Sequence, residues 1–160
     1  MKRWLALACA LLSVSCGHVS QINNANKQAL EASNNTAQQV TAQQILNSFV
    51  NAGLPVYNVT ILTEDTPDEV VGRPGSYIEK ILWADKRAKQ IKGFPPVGGK
   101  IEIFKSNDDL ERRKRHLETG LPVGPPLIEY RYVFKNALIR IHEDLTPKQA
   151  AEYERVLQAM

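Results

Sequence analysis

Two runs of cations are the most pronounced chemical feature of the central part of this chain. They comprise Lys86, Arg87, Lys89 and Lys92 in the first run, and Arg112, Arg113, Lys114 and Arg115 in the second. If the fold brings the two runs together, they are expected to bind an anionic surface, such as lipid headgroups or wall polymers. Each cation near a membrane contributes about 1 kcal/mol to such binding. The alternative is a solvated surface that is neutralised locally by Asp108, Asp109, Glu111 and Glu118.

The residue types that usually carry catalysis are scattered along the sequence. His18, His116 and His142 are far apart, and no group of His, Cys or acidic residues has the short spacing of a metal site. There is no Gly-x-Ser-x-Gly elbow and no phosphate-binding glycine loop. Asp85 is the best isolated acid, although a structural position at the end of a strand explains it better. The sequence therefore favours binding over catalysis and implies no cofactor and no metal.

The first 16 residues have the composition of an export signal. Lys2 and Arg3 precede an apolar run from Trp4 to Val14, and Ser15 and Cys16 follow that run. As a helix, the apolar run from Trp4 to Val14 would be about 16 Å long at about 1.5 Å per residue. This is too short to cross the ~30 Å hydrocarbon core of a bilayer. We therefore expect a cleaved signal peptide rather than a permanent transmembrane anchor.

The segment from Leu12 to Gly17 resembles the lipobox of bacterial lipoproteins, in which a cysteine after a small residue becomes the new N-terminus. The resemblance implies that Cys16 carries thioether-linked diacylglycerol, often with a further N-acyl chain. Leu12 stands one place before the position that leucine takes in that family. Ordinary secretory cleavage is the alternative, since residues 13–15 also satisfy the small-x-small rule. Cleavage at Cys9 would leave an apolar core too short to act as a signal.

Composition divides the chain into three parts: a signal peptide over residues 1–15, a linker over 16–40 that begins with the lipid-attachment cysteine, and one domain over 41–160. The linker is rich in Asn, Gln, Ser and Ala, so we expect a flexible tether that cannot offset its own ordering entropy. Cys16 is the sole cysteine after cleavage, which excludes an internal disulfide. Loss of Lys2 and Arg3 leaves 18 basic against 17 acidic residues, and this near-neutral charge argues against nucleic acid as a partner.

Local signals predict three helices within the domain. Thr41 with Gln44, and Thr146 with Gln149, form capping boxes at the start of two of them, and Ser106 caps the third. Alternation of apolar residues predicts five strands, at residues 56–63, 77–84, 100–105, 127–135 and 137–142.

The connections between the strands are also predicted. Pro95 to Gly99 is expected to form a turn, and positive φ at Asn136 is expected to allow a tight hairpin. Tyr77, Ile81 and Trp83 are expected to share one face of the sheet. The order of elements favours an α+β fold, with a mostly antiparallel sheet of about five strands and helices packed on one face.

The stretch from Gly72 to Leu157 resembles a group of small secreted bacterial lipoproteins that is common in actinobacteria. The resemblance is carried by Gly72-Arg73-Pro74-Gly75, Trp83-Ala84-Asp85, Gly98-Gly99-Lys100-Ile101-Glu102-Ile103-Phe104, Glu129-Tyr130, Leu145-Thr146-Pro147 and Ala150-Ala151-Glu152-Tyr153. It implies export and a common fold rather than a particular reaction.

Together these observations predict an exported, lipid-anchored, non-catalytic binding module at the extracytoplasmic face of the cell membrane. Its expected partners are the membrane, through the lipid on Cys16, and an envelope protein or an anionic polymer. Two alternatives stay open. One is an exclusion lipoprotein of a phage or mobile element, which binds an envelope or incoming protein. The other is a secreted hydrolase of cell wall or lipid.

Overall fold

The computed structural model describes residues 39–63, 76–119 and 128–160. The leader, Cys16, most of the tether and the Gly72–Gly75 motif lie outside these residues. The helices are α1 Ala42–Asn51, α2 Asn107–Glu118 and α3 Pro147–Gln158. The strands are β1 Val56–Thr63, β2 Tyr77–Asp85, β3 Gly98–Phe104, β4 Glu129–Phe134 and β5 Ala137–His142.

The helices begin where the sequence predicts, because each start is determined by a local cap. The Thr41 hydroxyl accepts a hydrogen bond from the Gln44 N–H, and the Gln44 side chain accepts one from the Thr41 N–H. Thr146 and Gln149 repeat this arrangement at α3, and Ser106 accepts from the Asp109 N–H at α2.

The five strands form one sheet in the order β1-β2-β3-β5-β4, and every neighbouring pair is antiparallel. The predicted α+β class with a five-stranded antiparallel sheet is therefore confirmed. The hairpin between β4 and β5 is present, but the positive φ of 52° lies on Lys135 rather than on Asn136. Asn136 uses its side chain instead, accepting from the Val40 N–H at 2.7 Å and donating to the Phe104 carbonyl at 3.3 Å.

Helices α1 and α3 cover one face of the sheet, which we call the apolar face. Its buried strand residues are Ile81, Trp83, Ile101, Ile103, Ala137, Ile139 and Ile141. Phe49 of α1 and Tyr153 of α3 meet above Trp83, with ring centroids 5.0 Å apart from each other and 5.6 and 5.7 Å from the Trp83 ring. This aromatic cluster forms the centre of the main core.

Helix α2 packs against the opposite face, so the helices are divided between two faces rather than gathered on one. Leu110 and Leu117 of α2 lie in a second, smaller cluster with Tyr77, Phe104 and Leu138. Tyr77 faces this side and not that of Ile81 and Trp83, because the register between β2 and β3 shifts between Tyr77 and Glu79. Such an irregularity reverses the alternation of side chains on which the sequence expectation depended.

Gly98 and Gly99 lie in strand β3 and not in the turn before it. The Trp83 indole packs directly over Gly99, and a Cβ at Gly98 would collide with the backbone of Trp83 and Asp85. Glycine is required at both positions because neighbouring atoms occupy the space that a side chain would need. Strand β3 therefore includes both glycines and begins two residues earlier than predicted.

Candidate functional site

The second face of the sheet, which we call the charged face, is only partly covered by α2. At the end of the sheet where β2 stops, it opens into a cleft of about 410 Å³. The strands supply its floor with Leu82, Lys100, Glu129 and His142. Its volume lies within the range of about 300–1,000 Å³ that small-molecule sites occupy. We refer to it as the Lys100 cleft.

The loop between β2 and β3 forms an apolar wall of this cleft. Ile91 and Phe94 line it, and these residues are 54% and 69% exposed. The Gln90 amide holds the two ends of the loop together, because it donates to the Val97 carbonyl at 2.6 Å and accepts from the Val97 N–H at 2.9 Å. It also donates to the carbonyl of Asp85 at 3.2 Å.

Ile128 supplies a further apolar side chain to the cleft from the start of the β4–β5 hairpin. The sequence groups it with Tyr130, Tyr132 and Phe134 on one strand face. The structure instead begins β4 at Glu129, leaves Ile128 68% exposed and packs the other three residues against the main core. Exposed apolar side chains that gather at one cleft are typical of a binding surface rather than of an ordinary monomer surface.

The charged face carries a buried network of ion pairs beside the cleft. Glu102 is fully buried and accepts two hydrogen bonds from Arg113 of α2, each 3.0 Å long, and one of 2.9 Å from Arg140. Arg140 also donates to Glu129 at 2.7 Å, and Arg131 donates to the same carboxylate oxygen at 2.8 Å. Although burial raises the pKa of Glu129, these guanidinium partners outweigh burial and hold that pKa below its ordinary value.

Lys100 lies in the same cross-strand row as Leu82 and Arg140. Among the residues that the structure describes, its ammonium has no hydrogen-bond or ion-pair partner. Burial, followed by the nearby Arg140 guanidinium, lowers the pKa of Lys100 to about 8. A cation in this state is a weakly hydrated charge at the floor of an apolar-walled cleft, and it can accept an anionic group from a ligand.

No protein-family model, curated protein or solved structure matches this chain. The sequence patterns alone do not mark Lys100, Phe94 or Ile128 as binding residues. One signal was available for Lys100: it alternates with Ile101 in β3, which places it on the face opposite the main core.

One arginine from each cation run faces a different side of the sheet. Arg87 turns to the apolar-face side, where it pairs with Asp85 and with Glu152 of α3. Arg113 turns to the charged face and pairs with Glu102.

Of the remaining cations in the two runs, some are paired and some are exposed. Arg112 pairs with Asp109 at 2.9 Å, and Lys114 pairs with Glu111 at the same distance. Within the two runs, the exposed cations for which the described residues provide no ion-pair partner are Lys86, Lys89, Lys92 and Arg115. Binding of an anionic surface by the two runs stays a prediction.

Asp85, the best isolated acid candidate of the sequence, has a structural role in the fold. It is fully buried at the end of β2, accepts from the Arg87 N–H at 2.8 Å and accepts from the Tyr153 hydroxyl at 2.7 Å. Burial raises the pKa of Asp85, but the hydrogen bonds from Arg87 and Tyr153 outweigh it and leave the pKa below its ordinary value. The carboxylate joins the end of β2 to α3.

The other candidate groups lie apart from one another. His116 is exposed on α2, and His142 is exposed at the end of β5, where its Nδ1 accepts from the Asp144 N–H at 3.1 Å. Across residues 39–63, 76–119 and 128–160, no set of three or more His, Cys, Asp or Glu side chains is placed to hold a metal ion. In the same residues, no helix has the length and apolar character needed to span a membrane.

Proposed function

We propose that this chain is an exported, lipid-anchored protein that acts without catalysis at the extracytoplasmic face of the cell membrane, and that its binding face is the Lys100 cleft. The observation that carries the binding role is the cleft itself. It combines exposed apolar walls with a lysine that forms no ion pair with any acid among the described residues. Those two properties together favour ligand binding, because each is unfavourable in a free protein surface.

The anchoring part of the proposal is supported by the leader. Two cations, a short apolar run and a small residue directly before Cys16 have the order that lipid attachment requires. Two or more acyl chains on Cys16 would hold the domain stably at a bilayer, whereas a single chain binds only reversibly. The stretch rich in Asn, Gln, Ser and Ala that precedes Val40 would then separate the domain from the membrane surface.

Metabolic labelling with a palmitate analogue tests the anchor. The full chain, expressed in bacteria that process lipoproteins, is expected to incorporate the label and to fractionate with membranes. Cys16→Ala should abolish labelling. Cys9→Ala is the matched control, since it alters a leader cysteine that the proposal does not use, and it should leave labelling intact. A wild-type chain that is unlabelled and released into the medium would show that ordinary secretory cleavage is correct.

A further inference from the structure

Lys100 differs from the other described cations of the charged face. It lines an open cleft, and it forms no ion pair with an acid among the described residues. Arg113 and Arg140 both engage Glu102, and Arg140 also engages Glu129. Each of these carboxylates therefore already has two guanidinium partners, since Arg131 is the second partner of Glu129. Neither carboxylate forms an ion pair with the Lys100 ammonium, although both act on it through space and oppose the lowering of its pKa.

The positive charge of Lys100 indicates which headgroup a ligand of the cleft would carry. Lysine presents a compact point charge, whereas arginine presents a planar fork suited to bidentate contacts. One lysine therefore matches one singly charged anionic group. Glu143 also lines the Lys100 cleft, and its negative charge disfavours a ligand with several anionic groups or a densely anionic surface.

The apolar walls of the Lys100 cleft indicate that the rest of the ligand is apolar. Ile91, Phe94 and Ile128 are all largely exposed and all line the same cleft as Lys100. Covering them would remove apolar surface from water at about 25 cal/mol per Å². An alkyl chain attached to the anionic group would lie against these residues while the headgroup reaches Lys100.

We propose that the Lys100 cleft binds a free, monomeric amphiphile with a single carboxylate and an alkyl chain. The carboxylate pairs with the Lys100 ammonium, and the chain packs between Phe94 and Ile128. This inference rests on the proposed function only in taking the cleft as the binding face. It requires neither export nor acylation of Cys16.

Calorimetric titration with decanoate tests the inference, using the full chain with Cys16→Ala so that no attached acyl group competes for the cleft. Decanol and decyltrimethylammonium, which share the chain length, are the ligand controls. Decanoate should bind most tightly. Lys100→Met should weaken decanoate binding by about tenfold to a hundredfold, the usual cost of losing a charged partner, and should leave decanol binding unchanged. Lys100→Arg should retain most of the affinity, and Lys86→Met is the matched charge control.

The apolar half of the site has its own variants. Phe94→Ser and Ile128→Ser change exposed side chains, so folding should be retained, and both should weaken decanoate and decanol by a similar factor. Val133→Ser, an exposed apolar residue that does not line the Lys100 cleft, should weaken neither.

Three results would overturn the inference. Equal binding of all three amphiphiles, with no effect of Lys100→Met, would leave an apolar binding face but no carboxylate site. Binding only to phosphatidylglycerol vesicles, and not to monomeric decanoate, would assign the anion to a membrane surface. Absence of any binding that depends on Phe94 or Ile128 would reject the cleft as the binding face, and with it that part of the proposed function. The labelling result is independent of all three.

Discussion

Replacement of Lys100 by methionine is expected to stabilise the fold while it weakens binding of a carboxylate. In the folded protein the pKa of Lys100 lies at about 8, against an ordinary value of 10.5. Each pH unit between those values corresponds to about 1.4 kcal/mol. The charged form of Lys100 therefore costs the folded state about 3 kcal/mol at neutral pH. Methionine keeps the unbranched stem without the charge, so we expect Lys100→Met to raise the free energy of unfolding by about 1–3 kcal/mol.

The pH dependence of this gain has a definite sign. The unfolded chain holds the Lys100 proton more tightly than the folded chain, so the wild-type free energy of unfolding should rise as the pH increases from about 8 to 10.5. Below pH 8 the cost of the charge is fully present, and above pH 10.5 it is absent. The advantage of Lys100→Met should therefore be constant below pH 8 and should shrink towards zero near pH 10.5.

Urea unfolding at a series of pH values, followed by Trp83 fluorescence, measures this difference. Lys86→Met is the control, since it removes an exposed cation and should change the free energy of unfolding by less than about 0.5 kcal/mol. The reasoning would be refuted if Lys100→Met were less stable than wild type at neutral pH, or if its advantage did not change between pH 8 and 10.5.

Three further predictions concern the framework around the cleft. Gly99→Ala should destabilise the protein by about 1–3 kcal/mol in urea unfolding, because the new methyl group would collide with the Trp83 indole; a change below about 0.5 kcal/mol would contradict that close packing. Tyr153→Phe should cost about 1–3 kcal/mol, because buried Asp85 loses one of its hydrogen bonds and the Trp83 N–H loses its acceptor, whereas Tyr57→Phe at an exposed site should be neutral. Acid should destabilise the fold, because the folded-state pKa values of Asp85 and Glu129 lie below their ordinary values of 3.8 and 4.5. The stability that these carboxylates contribute should be complete above the ordinary values and should be lost as the pH falls through the folded-state pKa values. A free energy of unfolding that does not change over this range would contradict the assigned ion pairs.

The features that the sequence predicts correctly are those determined by neighbouring residues. Thr41 and Thr146 begin helices because the partner side chain of each cap is only three residues away. The β4–β5 hairpin and the residues of β1 are likewise local. Gly53 ends α1 with a positive φ of 76°, which few other residues adopt readily.

The features that it misses depend on contacts between distant residues. The irregularity near Tyr77 moves that side chain to the charged face, and nothing in the local alternation marks it. The cleft requires Phe94 and Ile128 to meet beside Lys100, and their positions depend on strand order and on the loop that Gln90 holds. The sequence gives Arg113 as one cation of a basic run, whereas in the structure it pairs with Glu102, which is buried under α2.

The intact mass of the protein recovered from cell membranes tests the lipid anchor on Cys16. We expect a polypeptide that starts at Cys16 and carries the added mass of diacylglycerol, with or without a further acyl chain. A chain that retains residues 1–15, or one that is cleaved in this region and bears no acyl group, would contradict the account.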